Sequence, residues 1–382
     1  MKLIKNGTVY TVIKDEPEKL DILIDNGKIV RLEAEIQAEA DWEVIDVEGK
    51  NIFPGFIDAH SHLGMQESGI GFEGNDTNER TDILTPHMRG IDGINPLDIT
   101  FKEAALAGVT CVGTGPGSAN VLGGTFCAIK TVGHRVDDMI VKDGIAMKCA
   151  FGENPKRCYA DKNNATRMGT AAKLREMLIK AKEYDEKKKA ANGDITKMPA
   201  WDMKLEAMIP VIRKEMPLKA HAHQANDIFT AIRIAKEFDV LMTLEHVTDG
   251  ALIAEDLAKE NYPLAVGPSL YARAKFECKN LSFEAPVALS KAGIPISIVT
   301  DAPVVPEHYL PMCAGLAVKN GMDPKEALKA ITINPARHLG IADRVGSIEV
   351  GKDADLVVID GCPFDILDSV SMVFVNGNLV EE

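Results

Sequence analysis

Two histidines separated by one residue end an apolar segment near position 60. The segment 56–62 reads Phe-Ile-Asp-Ala-His-Ser-His and is typical of a strand. Side chains alternate between the two faces of a strand, so His60 and His62 project from the same face. Two neutral imidazoles on one face can bind one metal ion. Pairs this short also occur among ordinary packed or surface histidines, so a metal site needs further ligands.

Three later strand-like segments also end in potential ligands. They lead to His221 with His223, to His246, and to Asp301. Five of the nine histidines thus lie at strand ends, which chance placement would rarely produce. The ends of several parallel strands meet at the C-terminal face of a β/α barrel. The sequence therefore predicts a metal site at the mouth of such a barrel.

Composition and charge exclude several classes of protein. The 382 residues suffice for one large domain with an accessory domain. The formal net charge of -14 argues against a nucleic-acid partner, which would need a basic surface. The seven scattered cysteines form no C-x-x-C pair, which favours reduced thiols in a cytoplasmic protein. No segment reaches the length of a membrane span, and the N-terminus lacks the apolar core of a signal peptide.

Both ends of the chain differ in pattern from its centre. Residues 1–52 and 346–382 read as short strands with Asn-Gly turns, for example at 26–27 and 376–377. The centre, 53–345, alternates strands and helices, which favours a parallel sheet with crossover helices. We therefore expect one small sheet domain built from both ends and one α/β barrel domain between them.

The ordered set of segments resembles the amidohydrolase superfamily, and most closely its imidazolonepropionase-like branch. The resemblance rests on segment 54–62, on the later histidines and Asp301, and on the C-terminal segments 332–337, 346–348 and 351–357. It spans nearly the whole chain. The resemblance implies a metal-dependent (β/α)8 TIM-like barrel with a small β-sandwich formed from both chain ends.

The resemblance also implies a set of ligands. His60 and His62 would bind one divalent ion, and His221 with His246 would bind a second ion if the chain is similar to two-metal members. In one-metal members the residue matching His246 instead contacts the substrate or the attacking water. One or two ions are therefore expected. Zinc leads the candidates, although iron, manganese and nickel also accept imidazole and carboxylate ligands.

Asp301 is the predicted general base and a further ligand. A divalent ion lowers the pKa of bound water from 15.7 towards about 7, which provides hydroxide at neutral pH. Asp301 would take the proton of that water and pass it to the leaving nitrogen. The alternative role for this aspartate is a helix N-cap.

A bridging ligand is needed if two ions bind. Glu153 is one candidate, because it follows the strand-like run 145–151 and a carboxylate near a strand end suits a metal. Lys148 is the alternative, since some relatives use a carboxylated lysine. Lys148 lies deeper within the run.

Three further residues are candidates for substrate contact. His223 shares a face with His221, so it is expected to contact substrate or to support the ligands from outside. His87 and Arg89 lie in the long segment after His62, which could form a loop over the site. Ordinary loop surface is the alternative for these two residues.

The predicted function is hydrolysis of a C–N bond, in an amide or cyclic amide, through a metal-bound hydroxide. The first alternative is a deaminase acting on a heterocycle, and the second is a non-catalytic relative that keeps the barrel as a scaffold. Retention of all four ligand-bearing segments argues against the scaffold. A small-molecule substrate is expected, and a homo-oligomer is possible. His223 stands where imidazolonepropionase would carry an acidic residue, so that substrate is not predicted.

Overall fold

Short strands joined by turns make up the N-terminal part of the protein. The structure is a computed structural model that describes residues 1–67, 71–162 and 164–381. The strands of this part are β1 (Lys2–Lys5), β2 (Thr8–Val9), β3 (Glu18–Lys19), β4 (Asp21–Asp25), β5 (Lys28–Glu33), β6 (Glu43–Asp46) and β7 (Asn51–Pro54). Strands β4 and β5 pair antiparallel across the turn at 26–27, as the sequence predicts.

Eight strands form a nearly closed barrel in the centre of the chain. They are β8 (Phe56–Ser61), β9 (Val109–Thr114), β10 (Leu122–Lys130), β11 (Ile140–Ala150), β12 (Leu218–Ala222), β13 (Met242–His246), β14 (Leu264–Val266) and β15 (Ile296–Ile298). They lie side by side in chain order. The amide of Asp301 donates to the carbonyl of His60 at 3.2 Å, which joins the end of β15 to β8. The predicted TIM-like barrel is thus confirmed.

One barrel strand runs against the others. Strand β10 pairs antiparallel with both β9 and β11, whereas the other neighbouring pairs of the barrel are parallel. The cause is the short connection 115–121, because parallel neighbours need a crossover of a dozen or more residues. The chain therefore returns directly from the mouth of the barrel along β10. The regular β/α alternation expected from the sequence does not hold at this strand.

Helices of very different lengths surround the barrel. They are α1 (Ile99–Leu106), α2 (Val136–Met139), α3 (Glu153–Cys158), α4 (Arg167–Ala191), α5 (Met203–Ile212), α6 (Ala225–Phe238), α7 (Ala254–Glu260), α8 (Glu284–Lys291), α9 (Leu310–Lys319), α10 (Pro324–Lys329) and α11 (Ile333–His338). Among the described residues, no helix combines the length and the apolar character needed to cross a bilayer.

The two chain ends meet in a small β-sandwich. Strands β16 (Leu356–Ile359), β17 (Val370–Val375) and β18 (Asn378–Leu379) join β7, β2 and β3 in a six-stranded sheet, and β5, β4, β1 and β6 form a four-stranded sheet. Both sheets bury side chains in one apolar core, including Ile22, Ile52, Leu356 and Phe374. The predicted sandwich from both ends is confirmed. Its boundaries near residues 52 and 346 stay a proposal.

Candidate metal centre

The ends of four barrel strands bring six ionisable side chains to the barrel mouth. His60 lies in β8 and His62 follows it, His221 lies in β12 with His223 just beyond, and His246 ends β13. Asp301 follows β15. Two groups form, in each of which the candidate ligand atoms lie within 4.8 Å of one another: His60 with His62 and Asp301, and His221 with His223 and His246. The alternation of side chains along a strand predicts the pairing of His60 with His62 and of His221 with His223.

Backbone geometry at two strand ends also directs side chains inward. His246 has φ of +74° and Asp301 has φ of +55°, both in the left-handed region. Non-glycine residues seldom adopt this region, and such outliers cluster at functional sites. At His246 the turn brings consecutive side chains into the barrel, because Glu245 contacts His60 and the ring centroids of His246 and His60 lie 4.9 Å apart. Simple strand alternation would separate Glu245 from His246.

In the first group, lone pairs of two nitrogen atoms and one carboxylate oxygen point towards one another. His62 Nδ1 lies 2.7 Å from the Gly115 carbonyl and His60 Nδ1 lies 2.9 Å from a Glu245 oxygen, so both Nδ1 atoms carry the proton. Their Nε2 atoms are acceptors, and they lie 3.3 Å (His62) and 3.6 Å (His60) from Asp301 Oδ1. That oxygen is buried without a hydrogen-bond partner among the described residues. A cation between these atoms would relieve their repulsion, so the group fits a metal ion.

The second group also has unpaired nitrogen atoms. His246 Nδ1 donates to the Gly267 carbonyl at 2.8 Å, which leaves Nε2 as an acceptor. His223 Nδ1 lies 2.7 Å from Thr248 Oγ1, and His221 Nε2 lies 3.3 Å from Glu277 Oε1. Within the described part of the chain, His223 Nε2 and His221 Nδ1 are buried without a partner. Buried polar atoms are normally satisfied, so this group also fits a metal ion.

Burial keeps the histidines neutral and ready to bind. It lowers the pKa of His60, His221, His223 and His246 well below the usual histidine value. Burial opposes ionisation of Asp301, but His246, His62 and Lys148 outweigh it and lower the pKa of Asp301. The two ligand groups therefore offer neutral imidazoles at these four histidines and one carboxylate, that of Asp301, at neutral pH.

Lys148 contacts the first group from β11. Its Nζ lies 3.0 Å from His60 Nε2, and its side chain is fully buried. Burial lowers the pKa of Lys148 to about 8, although Asp301 and Glu245 act in the opposite direction. The strand register aligns Ala150 with His221, so β11 borders the second group as well. Lys148 is thus deeper than the strand end but lies among the ligands.

Glu153 faces a loop rather than the histidines. It begins α3, its amide donates to Glu277 Oε2 at 2.8 Å, and its Oε2 accepts from the Glu277 amide at 3.3 Å. Arg157 lies 3.9 Å from its other oxygen. These contacts tie the loop after β11 to the loop after β14, with Glu153 at their junction.

His87 and Arg89 line a cavity formed by the long segment after β8. The cavity has a volume of about 1030 Å³, and Pro116 and Gly123 form part of its wall. Arg89 is exposed and pairs with Asp143 at 2.6 Å. Neither residue belongs to the two ligand groups identified in the described structure.

Two buried carboxylates at the site were not found from the sequence. Glu277 lies in a short 3-10 turn, Phe276–Cys278, with no local sequence pattern, and its Oε1 is 2.6 Å from Lys275 Nζ and 3.3 Å from His221 Nε2. Burial opposes its ionisation, but His223 and Lys275 lower the pKa of Glu277 overall. Glu245 directly precedes His246, and its position beside a predicted ligand was the available signal.

A family model supplies the identification. The model described as "Amidohydrolase family" matches residues 51–380. The chain belongs to the amidohydrolase family. A solved amidohydrolase from Thermotoga maritima is 43% identical, with each chain fully covered and a TM-score of 0.96.

Curated relatives give partial matches. Amidohydrolase tasK of Hapsidospora irregularis is 28% identical over 94% of this chain, which spans 39% of that protein's length. An imidazolonepropionase of Thermoplasma acidophilum is 45% identical over 96 residues, covering 23% of each protein. Together with the family match, these similarities confirm the resemblance to the imidazolonepropionase-like branch.

Proposed function

We propose that this amidohydrolase is a metal-dependent hydrolase that cleaves a C–N bond in a small amide or cyclic amide. The observation that carries the proposal is the convergence of two groups of buried ligand atoms at one barrel mouth. Membership of the amidohydrolase family supports it. A non-catalytic scaffold would have no need to keep unpaired buried nitrogen atoms, which are costly to bury.

The proposed centre holds two divalent ions, with zinc as the preferred metal. His60, His62 and Asp301 would bind the first ion, and His221 with His246 would bind the second. Imidazole nitrogen and carboxylate oxygen suit zinc. His223 Nε2, a buried atom of the second group, is the proposed hydrogen-bond partner of the substrate.

We propose Lys148 as the bridging ligand in place of Glu153. Lys148 contacts His60, whereas Glu153 pairs with the amide of Glu277. Attack of the neutral Lys148 amine on carbon dioxide forms an N–C bond and releases one proton to solvent. The resulting carbamate carries two oxygen atoms, so it can bind two ions at once.

The chain's own residues would perform the proton transfer. A bound divalent ion would polarise a substrate carbonyl and lower the pKa of a coordinated water. The Asp301 carboxylate would accept a proton from the attacking water and donate it to the leaving nitrogen. A C–O bond forms and the C–N bond breaks, so amide and water become carboxylic acid and amine. The lowered pKa of Asp301 keeps it ready to accept the proton.

A substrate panel with metal removal tests the proposed function. We expect zinc-loaded protein to generate a new amine and a new carboxylate from N-acyl amino acids or cyclic amides. We expect chelation to reduce the rate by a factor of about 10² or more, and added zinc to restore it. The reason is that the metal stabilises the charge of the transition state by several kcal/mol. Amine release unaffected by chelation would overturn the metal mechanism. Ammonia release from amino-substituted heterocycles alone would favour the deaminase.

A further inference from the structure

Three buried ionisable side chains contact one another and take no part in the proposed reaction. Glu245 is 0% exposed, Lys219 is 1% exposed, and the His338 side chain is 3% exposed. Lys219 belongs to β12, Glu245 to β13 and His338 to α11. Isolated charges are costly to bury, so groups of this kind normally form a paired network.

Glu245 is the centre of this network and accepts four hydrogen bonds. Its Oε2 accepts from His60 Nδ1 at 2.9 Å and from Lys219 Nζ at 2.8 Å. Its Oε1 accepts from Thr243 Oγ1 at 2.6 Å and from His338 Nε2 at 3.0 Å. Four donors around two oxygens match the acceptor capacity of an ionised carboxylate.

The network determines which nitrogen of His60 faces the centre. Because Glu245 is acceptor-only when ionised, His60 Nδ1 must carry the ring proton. His60 Nε2 then directs its lone pair towards Asp301 and Lys148. A carboxylate behind a histidine also increases the basicity of the ligand nitrogen, and loss of such partners typically weakens metal binding 10- to 100-fold.

We propose that Glu245 is a positioning residue for the metal centre, and that Lys219 and His338 hold it in place by donating hydrogen bonds to its carboxylate. This inference rests on the proposed function, because His60 is a proposed ligand. Its consequence is that a residue outside the two ligand groups controls metal affinity. His338 contacts Glu245 and Lys219 but does not belong to the ligand groups among the described residues.

A purely structural network would behave differently. Breaking such a network would lower the thermal stability of the protein, but the folded protein would keep its affinity for metal. A positioning network changes the affinity of the folded protein. Metal affinity and thermal unfolding must therefore be measured on the same variants.

The test compares Zn²⁺ affinity, by chelator competition, and the Co²⁺ absorption spectrum of the full-length protein. We expect Glu245→Gln to weaken Zn²⁺ binding at the site that contains His60 about 10- to 100-fold. His338→Leu removes one donor to Glu245, and we expect about tenfold weaker binding. His338→Gln keeps an N–H donor at a similar position, and we expect its affinity to stay within about twofold of the parent. This matched pair at position 338 separates the hydrogen bond from simple replacement.

The outcomes distinguish this inference from the proposed function. Parent-like affinity in folded His338→Leu and Glu245→Gln would overturn the positioning role and leave the metal centre intact. Equal weakening by His338→Leu and His338→Gln would also overturn it, because the hydrogen bond would not matter. Failure of the parent protein to bind Zn²⁺ or Co²⁺ would overturn both the proposed function and this inference. If Glu245→Gln does not fold, the pair at position 338 decides the question.

Discussion

Replacing Asp301 with asparagine should reduce turnover by a factor of about 10² to 10⁴, the usual contribution of a general acid–base residue. Asparagine keeps the shape and one oxygen of the side chain, but its neutral amide is too weak a base to accept the proton. In the described structure Asp301 Oδ1 is buried without a hydrogen-bond partner, 3.3 Å from His62 Nε2 and 3.6 Å from His60 Nε2. The effect should appear in kcat at saturating substrate, with zinc in excess so that weakened binding does not limit the rate.

Asp323→Asn is the matched control. Asp323 is exposed and caps α10 by accepting from the amides of Lys325 and Glu326. Asparagine is also a good N-cap, so this variant should keep parent activity and stability. Asp301→Asn with parent kcat would contradict the assignment of Asp301 as the proton acceptor. If circular dichroism shows that Asp301→Asn does not fold, kcat is measured on Asp301→Glu instead.

Replacing Lys148 with methionine should remove one of two metal ions and reduce turnover by a factor of about 10² or more, because each ion stabilises transition-state charge. Methionine retains much of the volume of lysine in this buried position beside Phe126. Burial already destabilises the charged form of Lys148, so its removal should not weaken folding greatly. Elemental analysis and thermal unfolding of the same samples measure both effects.

Two controls distinguish Lys148 from Glu153. Glu153→Gln should keep both ions, because the Glu153 carboxylate contacts a loop amide in the structure. In Lys148→Ala, added acetate or propionate should restore part of the activity by supplying a carboxylate in the vacated space. Two ions retained in Lys148→Met together with one ion lost in Glu153→Gln would reverse the assignment.

Much of the fold was predictable from local patterns. The Asn-Gly turn at 26–27 predicts the hairpin of β4 and β5, and the strand-like runs before His60, His221 and His246 predict barrel strands. The direction of β10 was not predictable from its own residues. It follows from the short connection before it, which only the antiparallel arrangement can satisfy.

The candidate centre was predictable to the extent that its residues lie on strand ends. His60, His62, His221 and His246 carry this signal, since period-two alternation directs side chains to a common face. Glu277 carries no such signal, because its contact with His221 joins residues 56 positions apart and comes from a short turn between β14 and α8. Partners of this kind depend on how loops pack over the barrel, which local sequence patterns do not describe.

The most direct test of the central claim is the metal content per chain, measured by elemental analysis on protein purified without chelator. The two-metal account predicts about two equivalents of zinc or another divalent ion, held by the two ligand groups. A content of one equivalent would contradict the bridged pair of ions and favour the one-metal deaminase chemistry. Absence of bound metal, even after incubation with zinc and bicarbonate, would contradict the account of this protein as a metal-dependent hydrolase.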